Sequence, residues 1–270
     1  MSPQGGPLSG RRVLVTRPRP LAGRLAALLE AHGAEVIAVP TIRIEPPEDW
    51  APLDEAIRGL SDFRWVIFTS VNGVASFCER LERAGLDARS LAGLRVAAIG
   101  PETAEALRGA GIEPDRVPAE YRAEGLLDAL EAELRSGDAV LLVRAAEARE
   151  VLPRELEARG LRVTVAPAYR TVLVKEEADR ARALLEARRI DAVTFTSSST
   201  VRGLVALLGP SDARRLLDGV VVAAIGPVTA ETASEHGLPV SVTPHEYTVP
   251  ALADAIAGYF ETARPATVRG

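Results

Sequence analysis

Residues 220–237 have the sequence Val220-Val-Val-Ala-Ala-Ile-Gly-Pro-Val-Thr-Ala-Glu-Thr-Ala-Ser-Glu-His-Gly237. The apolar run predicts a buried parallel strand that ends at Gly226, and the residues from Pro227 onward predict a helix. Glycine permits a sharp turn close to a ligand, and proline suits the first helical position because an N–H there has no helical partner. Residues 94–111 repeat the Ala-Ala-Ile-Gly-Pro-x-Thr-Ala core 126 positions earlier. Both stretches therefore predict a strand, a glycine turn and an open helix N-terminus.

The rest of the chain repeats at nearly the same offset, 126 to 127 residues. The matched pairs are 13–17 with 140–144, 25–40 with 152–167, 66–70 with 193–197, and 119–121 with 245–247. A solenoid would need more copies and a shorter period. The offset therefore indicates a duplicated α/β unit.

Strand-like segments alternate with helical patterns along both copies, which is typical of doubly wound parallel sheets. A chain of 270 residues is long enough to form two such cores. The pattern also predicts short strands at 116–118 and 240–243, a helix at 123–135, and Ser70 as the N-cap of a helix at 72–83. We therefore expect an α/β protein with two doubly wound parallel-sheet domains of similar topology.

The composition is that of an ordinary globular protein, with 47% hydrophobic and 26% charged residues. No apolar run reaches the roughly 18 residues that cross a bilayer, and residues 1–10 lack the features of a secretion signal. The net charge of −5 and the lack of a basic stripe argue against a nucleic-acid surface. We therefore expect a cytoplasmic protein that binds neither membranes nor nucleic acid.

Several classes of catalyst lack their usual residues. Lys175 is the only lysine and lies in a polar Lys-Glu-Glu segment, so neither a P-loop nor a Schiff-base lysine is expected. The three histidines are scattered, and His32 and His236 each precede a glycine, as at a helix end. Cys78 is the only cysteine and falls on an apolar helix face. We therefore expect no metal site, no cofactor and no disulfide within the chain.

Ligands of doubly wound sheets gather beyond the carboxyl ends of the strands, where helix N-termini bind carboxylate or phosphate without a lysine. Both copies carry the same glycine and hydroxyl residues at these ends, which favours a polyanionic ligand. The alternative interpretation is that Ser70, Thr103, Ser198 and Thr229 only cap helices, and both interpretations stay open. The predicted binding residues are Arg17, Thr69, Ser70, Gly100, Pro101, Thr103, Arg144, Thr196, Ser197, Ser198, Gly226, Pro227 and Thr229.

These motifs resemble those of the uroporphyrinogen-III synthase family over about residues 12–262. The motifs are weak one by one but specific in their order: Val-Thr-Arg-Pro at 15–18, Phe-Thr-Ser at 68–70 and 195–197, Ala-Ile-Gly-Pro-x-Thr at 98–103 and 224–229, and Tyr-Arg-Thr at 169–171. Bacterial relatives often have Ser-Ala-Asn where this chain has Ser70-Val71-Asn72. Asn72 therefore joins the predicted binding residues.

The resemblance implies two α/β domains joined by a two-stranded β ladder, with the halves of the chain exchanged. Residues 1–39 and 175–270 would form domain 1, residues 45–165 would form domain 2, and residues 40–44 and 166–174 would form the ladder. The repeats alone do not decide this exchange.

The resemblance further implies a cofactor-independent lyase of haem and porphyrin biosynthesis. It would close linear hydroxymethylbilane to uroporphyrinogen III, with loss of water and inversion of the last pyrrole ring. Tyr169 matches the family's tyrosine and is the candidate catalytic proton donor, while packing on an interdomain strand is its alternative role. The expected protein is a monomer that binds this linear tetrapyrrole and transiently contacts the enzyme that makes it.

Two other functions stay open. One is a non-catalytic two-domain sensor or binding protein for a tetrapyrrole or another small polyanion. The other is a nucleotide-dependent transferase, which the lack of phosphate-binding loops disfavours.

Overall fold

The structure is a computed structural model that describes residues 6–262, and its contacts divide the chain into two units. Unit 1 contains the residues up to Arg43 together with those from Val172 onward, and unit 2 contains Ile44–Thr171. The chain ends assigned to domain 1 from the sequence, residues 1–5 and 263–270, lie outside the described residues.

Most strands are apolar and buried, as expected for parallel sheets that are covered by helices on both faces. In chain order the strands are β1 (Arg12–Val15), β2 (Glu35–Ala38), β3 (Ile42–Glu45), β4 (Trp65–Phe68), β5 (Arg95–Ala98), β6 (Ala139–Ala145), β7 (Arg162–Leu173), β8 (Ala192–Phe195) and β9 (Val221–Ala224).

The helices are short, and in the described residues none is long and apolar enough to span a membrane. They are α1 (Arg19–Ala31), α2 (Ala51–Arg58), α3 (Val71–Arg83), α4 (Pro101–Gly109), α5 (Ala123–Leu130), α6 (Val151–Ala158), α7 (Ala178–Glu186), α8 (Ser198–Leu208), α9 (Pro210–Leu216), α10 (Pro227–Glu235) and α11 (Val249–Thr262). Matched glycines follow α1 and α6, with φ of +94° at Gly33 and +81° at Gly160. Glycine reaches this left-handed region without steric cost, so it ends both helices.

The sheet of unit 1 has the strand order β2-β1-β8-β9, and all of its pairs are parallel. Alternate side chains of β1 face opposite sides. Val13 and Val15 belong to a core with α1 and α11, whereas Leu14 belongs to a core with α7, α8 and α10. Burial on both faces stabilises the sheet through the hydrophobic effect.

The sheet of unit 2 has the order β3-β7-β6-β4-β5, and the pairs from β7 to β5 are parallel. Val66 and Phe68 of β4 pack in a core with α2, α3 and α4, whereas Trp65 and Ile67 pack with α5 and α6. This sheet is therefore also covered on both faces, which confirms the predicted α/β class.

Each sheet combines strands from both sequence copies. Val13 pairs with Ala192 in unit 1, and Trp65 pairs with Val140 in unit 2. Position 13 of the first copy matches position 140 of the second, and position 65 matches position 192, each at an offset of 127. The two pairings therefore join equivalent strands, with the first and second copies interchanged. The orders β2-β1-β8-β9 and β7-β6-β4-β5 are thus one arrangement built twice.

Three predictions of local structure are wrong: two short strands and the end of one helix. The expected strands at 116–118 and 240–243 are reduced to single bridges, Ala97 with Arg116 and Ala223 with Val242. Prolines at 118 and 244 lack the N–H that a longer pairing would use.

The helix expected at 123–135 ends at Leu130, and the chain turns so that Glu133 forms ion pairs with Arg95 and Arg116. Helix α9 was not predicted. Gly209, with φ of +86°, separates it from α8, and Pro210 begins it.

Candidate functional site

The serine of each Phe-Thr-Ser motif caps the helix that follows its strand. Ser70 (φ −166°, ψ 156°) accepts a hydrogen bond from Gly73 N at 3.0 Å, which confirms it as the N-cap of α3. Ser197 (φ −167°, ψ 159°) accepts from Thr200 N at 3.3 Å and forms a capping box with Thr200. The duplicated motif therefore gives the same helix start at the carboxyl end of both sheets.

Ser198 is the first residue of α8, so its interpretation as a helix cap is wrong. Its hydroxyl donates to Val228 O at 3.3 Å and accepts from Thr232 Oγ1 at 2.8 Å. Ser198 therefore links the starts of α8 and α10.

Glycines cap the second pair of helices. Gly100 precedes α4 with φ of −168°, and Gly226 precedes α10 with φ of −172°. Both conformations are extended, and neither helix has a side-chain cap. The N–H groups of these first turns therefore lack a capping acceptor and can donate to an anion.

Thr103 and Thr229 occupy the third position of α4 and α10, and each is 5% exposed. Their interpretation as helix caps is therefore wrong. Pro101 and Pro227 occupy the first helical positions, where their lack of an N–H costs no helical hydrogen bond.

A tyrosine packs against each of these glycines. A Cβ built at Gly100 would lie 3.3 Å from Tyr121 Cβ, and one built at Gly226 would lie 3.1 Å from Tyr247 Cγ. Neither tyrosine was selected from the sequence. The signal was the 119–121 and 245–247 match at the common offset, which shows that the tyrosine recurs with the glycine turn.

Tyr169 lies on β7 in unit 2 and is 9% exposed. Burial raises the pKa of Tyr169, hydrogen bonding from the nearby side chains of Ser70 and Asn72 lowers it less, and the charge of Glu147 adds a further increase. The phenol is therefore neutral at neutral pH and can act as a hydrogen-bond donor.

The other predicted residues lie at the strand ends expected of them. Thr69 Oγ1 donates to Val143 O at 3.4 Å. Arg17 follows β1 and Thr196 follows β8, and both are half-buried. Arg144 is the penultimate residue of β6 but is only 4% exposed, and its guanidinium donates to backbone carbonyls of the next loop. The structure thus brings Tyr169 together with Ser70 and Asn72, while Arg144 contacts its own loop.

The described residues contain no group of three or more His, Cys, Asp or Glu side chains that could hold a metal ion. What each unit presents at its helix N-termini is hydroxyl side chains and backbone N–H groups. Such groups bind carboxylates through charge-assisted hydrogen bonds.

Comparisons with known proteins agree with this arrangement. A family model described as Uroporphyrinogen-III synthase HemD matches residues 23–254. The uroporphyrinogen-III synthase of Synechococcus elongatus is 35% identical over 254 residues, covering 93% of this chain and 96% of that protein. The uroporphyrinogen-III synthase of Chlorobaculum parvum is 28% identical and covers 92% and 98%.

Among solved structures, a mutant uroporphyrinogen III synthase from Thermus thermophilus is 25% identical, with a TM-score of 0.72. The match covers 92% of this chain and 97% of that one. Family model, relatives and structure agree over nearly the whole length, and the chain therefore belongs to the uroporphyrinogen-III synthase family.

Proposed function

We propose that this protein is a uroporphyrinogen-III synthase that converts hydroxymethylbilane into uroporphyrinogen III and one water, with inversion of the last pyrrole ring. The observation that carries the proposal is the family match over residues 23–254, which includes both helix-start motifs and the strand with Tyr169. The reaction would make the protein a ring-closing lyase of porphyrin biosynthesis.

Substrate carboxylates would bind the N–H groups at the starts of α3, α4, α8 and α10. Support comes from the first turns at Gly100 and Gly226, which have no side-chain cap. At α3 and α8 the serine caps accept from Gly73 N and Thr200 N, so only the earlier N–H groups of those helices are proposed to bind. Backbone donors suit a chain with a net charge of −5 and one lysine, because they bind anions without basic side chains. The proposed substrate-binding residues are those predicted from the sequence except Arg144, whose side chain contacts its own loop.

Tyr169 would donate a hydrogen bond to the hydroxyl group that leaves as water. Its buried, neutral phenol, beside Ser70 and Asn72, supports this role. Since burial raises the pKa of Tyr169, it is a weak acid at neutral pH. Much of the acceleration would therefore come from holding the two ends of the linear substrate in reacting geometry.

The remaining features are proposals with indirect support. The division of contacts near residues 43 and 171 supports the exchanged domains with limits near 39, 45, 165 and 175. The cytoplasmic location, the monomeric state, the independence of cofactors and the transient contact with the preceding enzyme rest on the sequence and its resemblance.

The test is to incubate the protein with enzymatically made hydroxymethylbilane and to separate the type I and type III porphyrin isomers after oxidation. We expect mainly the type III isomer. A sample without protein should give the type I isomer, because uncatalysed closure does not invert the ring. An unchanged isomer pattern with folded protein present would refute the proposal.

The role of Tyr169 has a matched control on α11. Tyr169→Phe should slow formation of the type III isomer, whereas Tyr259→Phe removes the same atom from an exposed ring and should not. Equal rates for both variants and the parent would contradict a role for the Tyr169 hydroxyl.

A further inference from the structure

The loop between β6 and α6, residues 146–150, is bound to strand β7 at Tyr169. Ala146 N donates to Tyr169 O at 2.8 Å. Glu147 Oε2 accepts from Thr171 N at 3.1 Å. The loop therefore fixes the backbone that carries the tyrosine.

Arg144 holds this loop in place. Its Nη2 donates to Ala148 O at 3.0 Å, its Nη1 donates to Arg149 O at 3.2 Å, and it forms an ion pair with Glu150. The side chain is 5% exposed. A buried guanidinium is tolerated only when it is paired and hydrogen-bonded, and here the loop supplies those partners.

The pairing of β6 with β7 is irregular at the same place. Arg144 lies opposite Pro167 and Ala145 lies opposite Tyr169, so Ala168 is an extra residue in β7. Pro167 has no N–H to donate, which is consistent with a bulge. The alternation of burial fails there, since Ala168 and Tyr169 are both buried. The bulge therefore sets the face on which Tyr169 lies.

We propose that Arg144 is a positioning residue for the reaction: it orders loop 146–150, which in turn holds the bulged strand and the hydroxyl of Tyr169. This rests on the proposed function. It differs from the substrate contact predicted from the sequence, because the guanidinium already contacts three residues of its own loop.

The test is a double-mutant cycle with Arg144→Gln and Tyr169→Phe, measured as the rate of type III isomer formation. We expect Tyr169→Phe to lower kcat by about ten- to a hundredfold and Arg144→Gln by about tenfold, with little change in KM. In the Tyr169→Phe background, Arg144→Gln should cost less than about twofold, because both changes act through one hydroxyl. Arg149→Gln is the control, since it removes an exposed charge from the same loop but leaves the carbonyl acceptor.

Two outcomes would overturn the proposal. Losses that multiply in the double variant would show that Arg144 acts independently of Tyr169. A higher KM with unchanged kcat would show that Arg144 binds the substrate directly.

Glu147→Ala keeps the cycle usable if Arg144→Gln does not fold. Glu147 is exposed, so its replacement should leave the core intact while removing the acceptor of Thr171 N. Multiplicative losses with Tyr169→Phe would again contradict the proposal. Because the Glu147 charge itself raises the pKa of Tyr169, a lack of additivity supports the proposal only if the amide of Ala146 also exchanges faster in Glu147→Ala.

Amide hydrogen exchange separates this inference from the proposed function. The amides of Ala146 and Thr171 should exchange at least about tenfold faster in Arg144→Gln than in the parent and in Arg149→Gln. Unchanged exchange would refute the ordering of the loop, whether or not the protein forms the type III isomer. Faster exchange in Arg144→Gln, together with a parent protein that makes only the type I isomer, would instead refute the proposed function alone.

Discussion

Gly226→Ala tests the contact between the glycine turn and its tyrosine. The new Cβ would lie 3.1 Å from Tyr247 Cγ, whereas carbon atoms pack best at roughly 3.5–4.0 Å. Overpacking of this kind costs about 1–3 kcal/mol, and replacing glycine by alanine at an N-cap costs roughly another 0.5–1 kcal/mol. We expect Gly226→Ala to lower the free energy of unfolding by about 1.5–4 kcal/mol in urea titrations.

Three further variants isolate the cause. Gly100→Ala should cost less, because its Cβ would lie 3.3 Å from Tyr121 Cβ and 3.4 Å from Tyr121 Cγ, both longer than the 3.1 Å contact at Gly226. Gly258→Ala in α11 meets nothing within 4 Å and should stabilise by about 0.5–1 kcal/mol. In a Tyr247→Ala background, Gly226→Ala should cost only the N-cap contribution. An equal cost with and without the Tyr247 ring would refute the reasoning.

The same substitution should slow formation of the type III isomer more than about a hundredfold, because it displaces several backbone donors that are worth roughly 1.5–3 kcal/mol each. Activity is compared at a temperature where each variant is folded. If Gly226→Ala kept most of its activity while Thr229→Ala or Tyr169→Phe lost essentially all, side chains and not backbone N–H groups would carry substrate binding.

The remaining predictions concern hydroxyls, pH and metals. Thr103→Ala and Thr229→Ala should each slow turnover by about ten- to a hundredfold without abolishing it, and complete loss in a folded variant would contradict this. Ser70→Ala removes the bond from Gly73 N and should cost about 1 kcal/mol, measured by urea unfolding. Because burial raises the pKa of Tyr169, ionisation of its phenol disfavours the folded state, so this contribution to stability is present below about pH 10 and is lost as pH rises through the folded pKa. The free energy of unfolding of the parent should therefore fall above about pH 10 relative to that of Tyr169→Phe, and a constant difference between the two would contradict this. Exhaustive chelation should leave the rate unchanged, and recovery of a lost rate by one metal would contradict a cofactor-free reaction.

Local sequence determined the repeated elements and most of their boundaries. The serine at position 70 could be assigned as an N-cap because capping involves residues only three positions apart. The glycine turns at 100 and 226 could be located because an apolar strand, a glycine and a proline adjoin in the chain. The class of fold followed from the alternation of such segments, and the family followed from the order of the motifs.

Only the tertiary structure decided which segments meet. The repeats match equally well within one copy or between copies, so they could not show that β1 pairs with β8 and β4 with β6. The contacts of Tyr247 with Gly226 and of Tyr169 with Ser70 likewise join residues far apart in sequence. Arg144 was predicted to face a ligand because strand ends usually do, but the loop that binds it depends on where the chain turns after β6. Capping and periodicity depend on neighbouring residues, whereas these contacts depend on how the buried faces of both copies pack together.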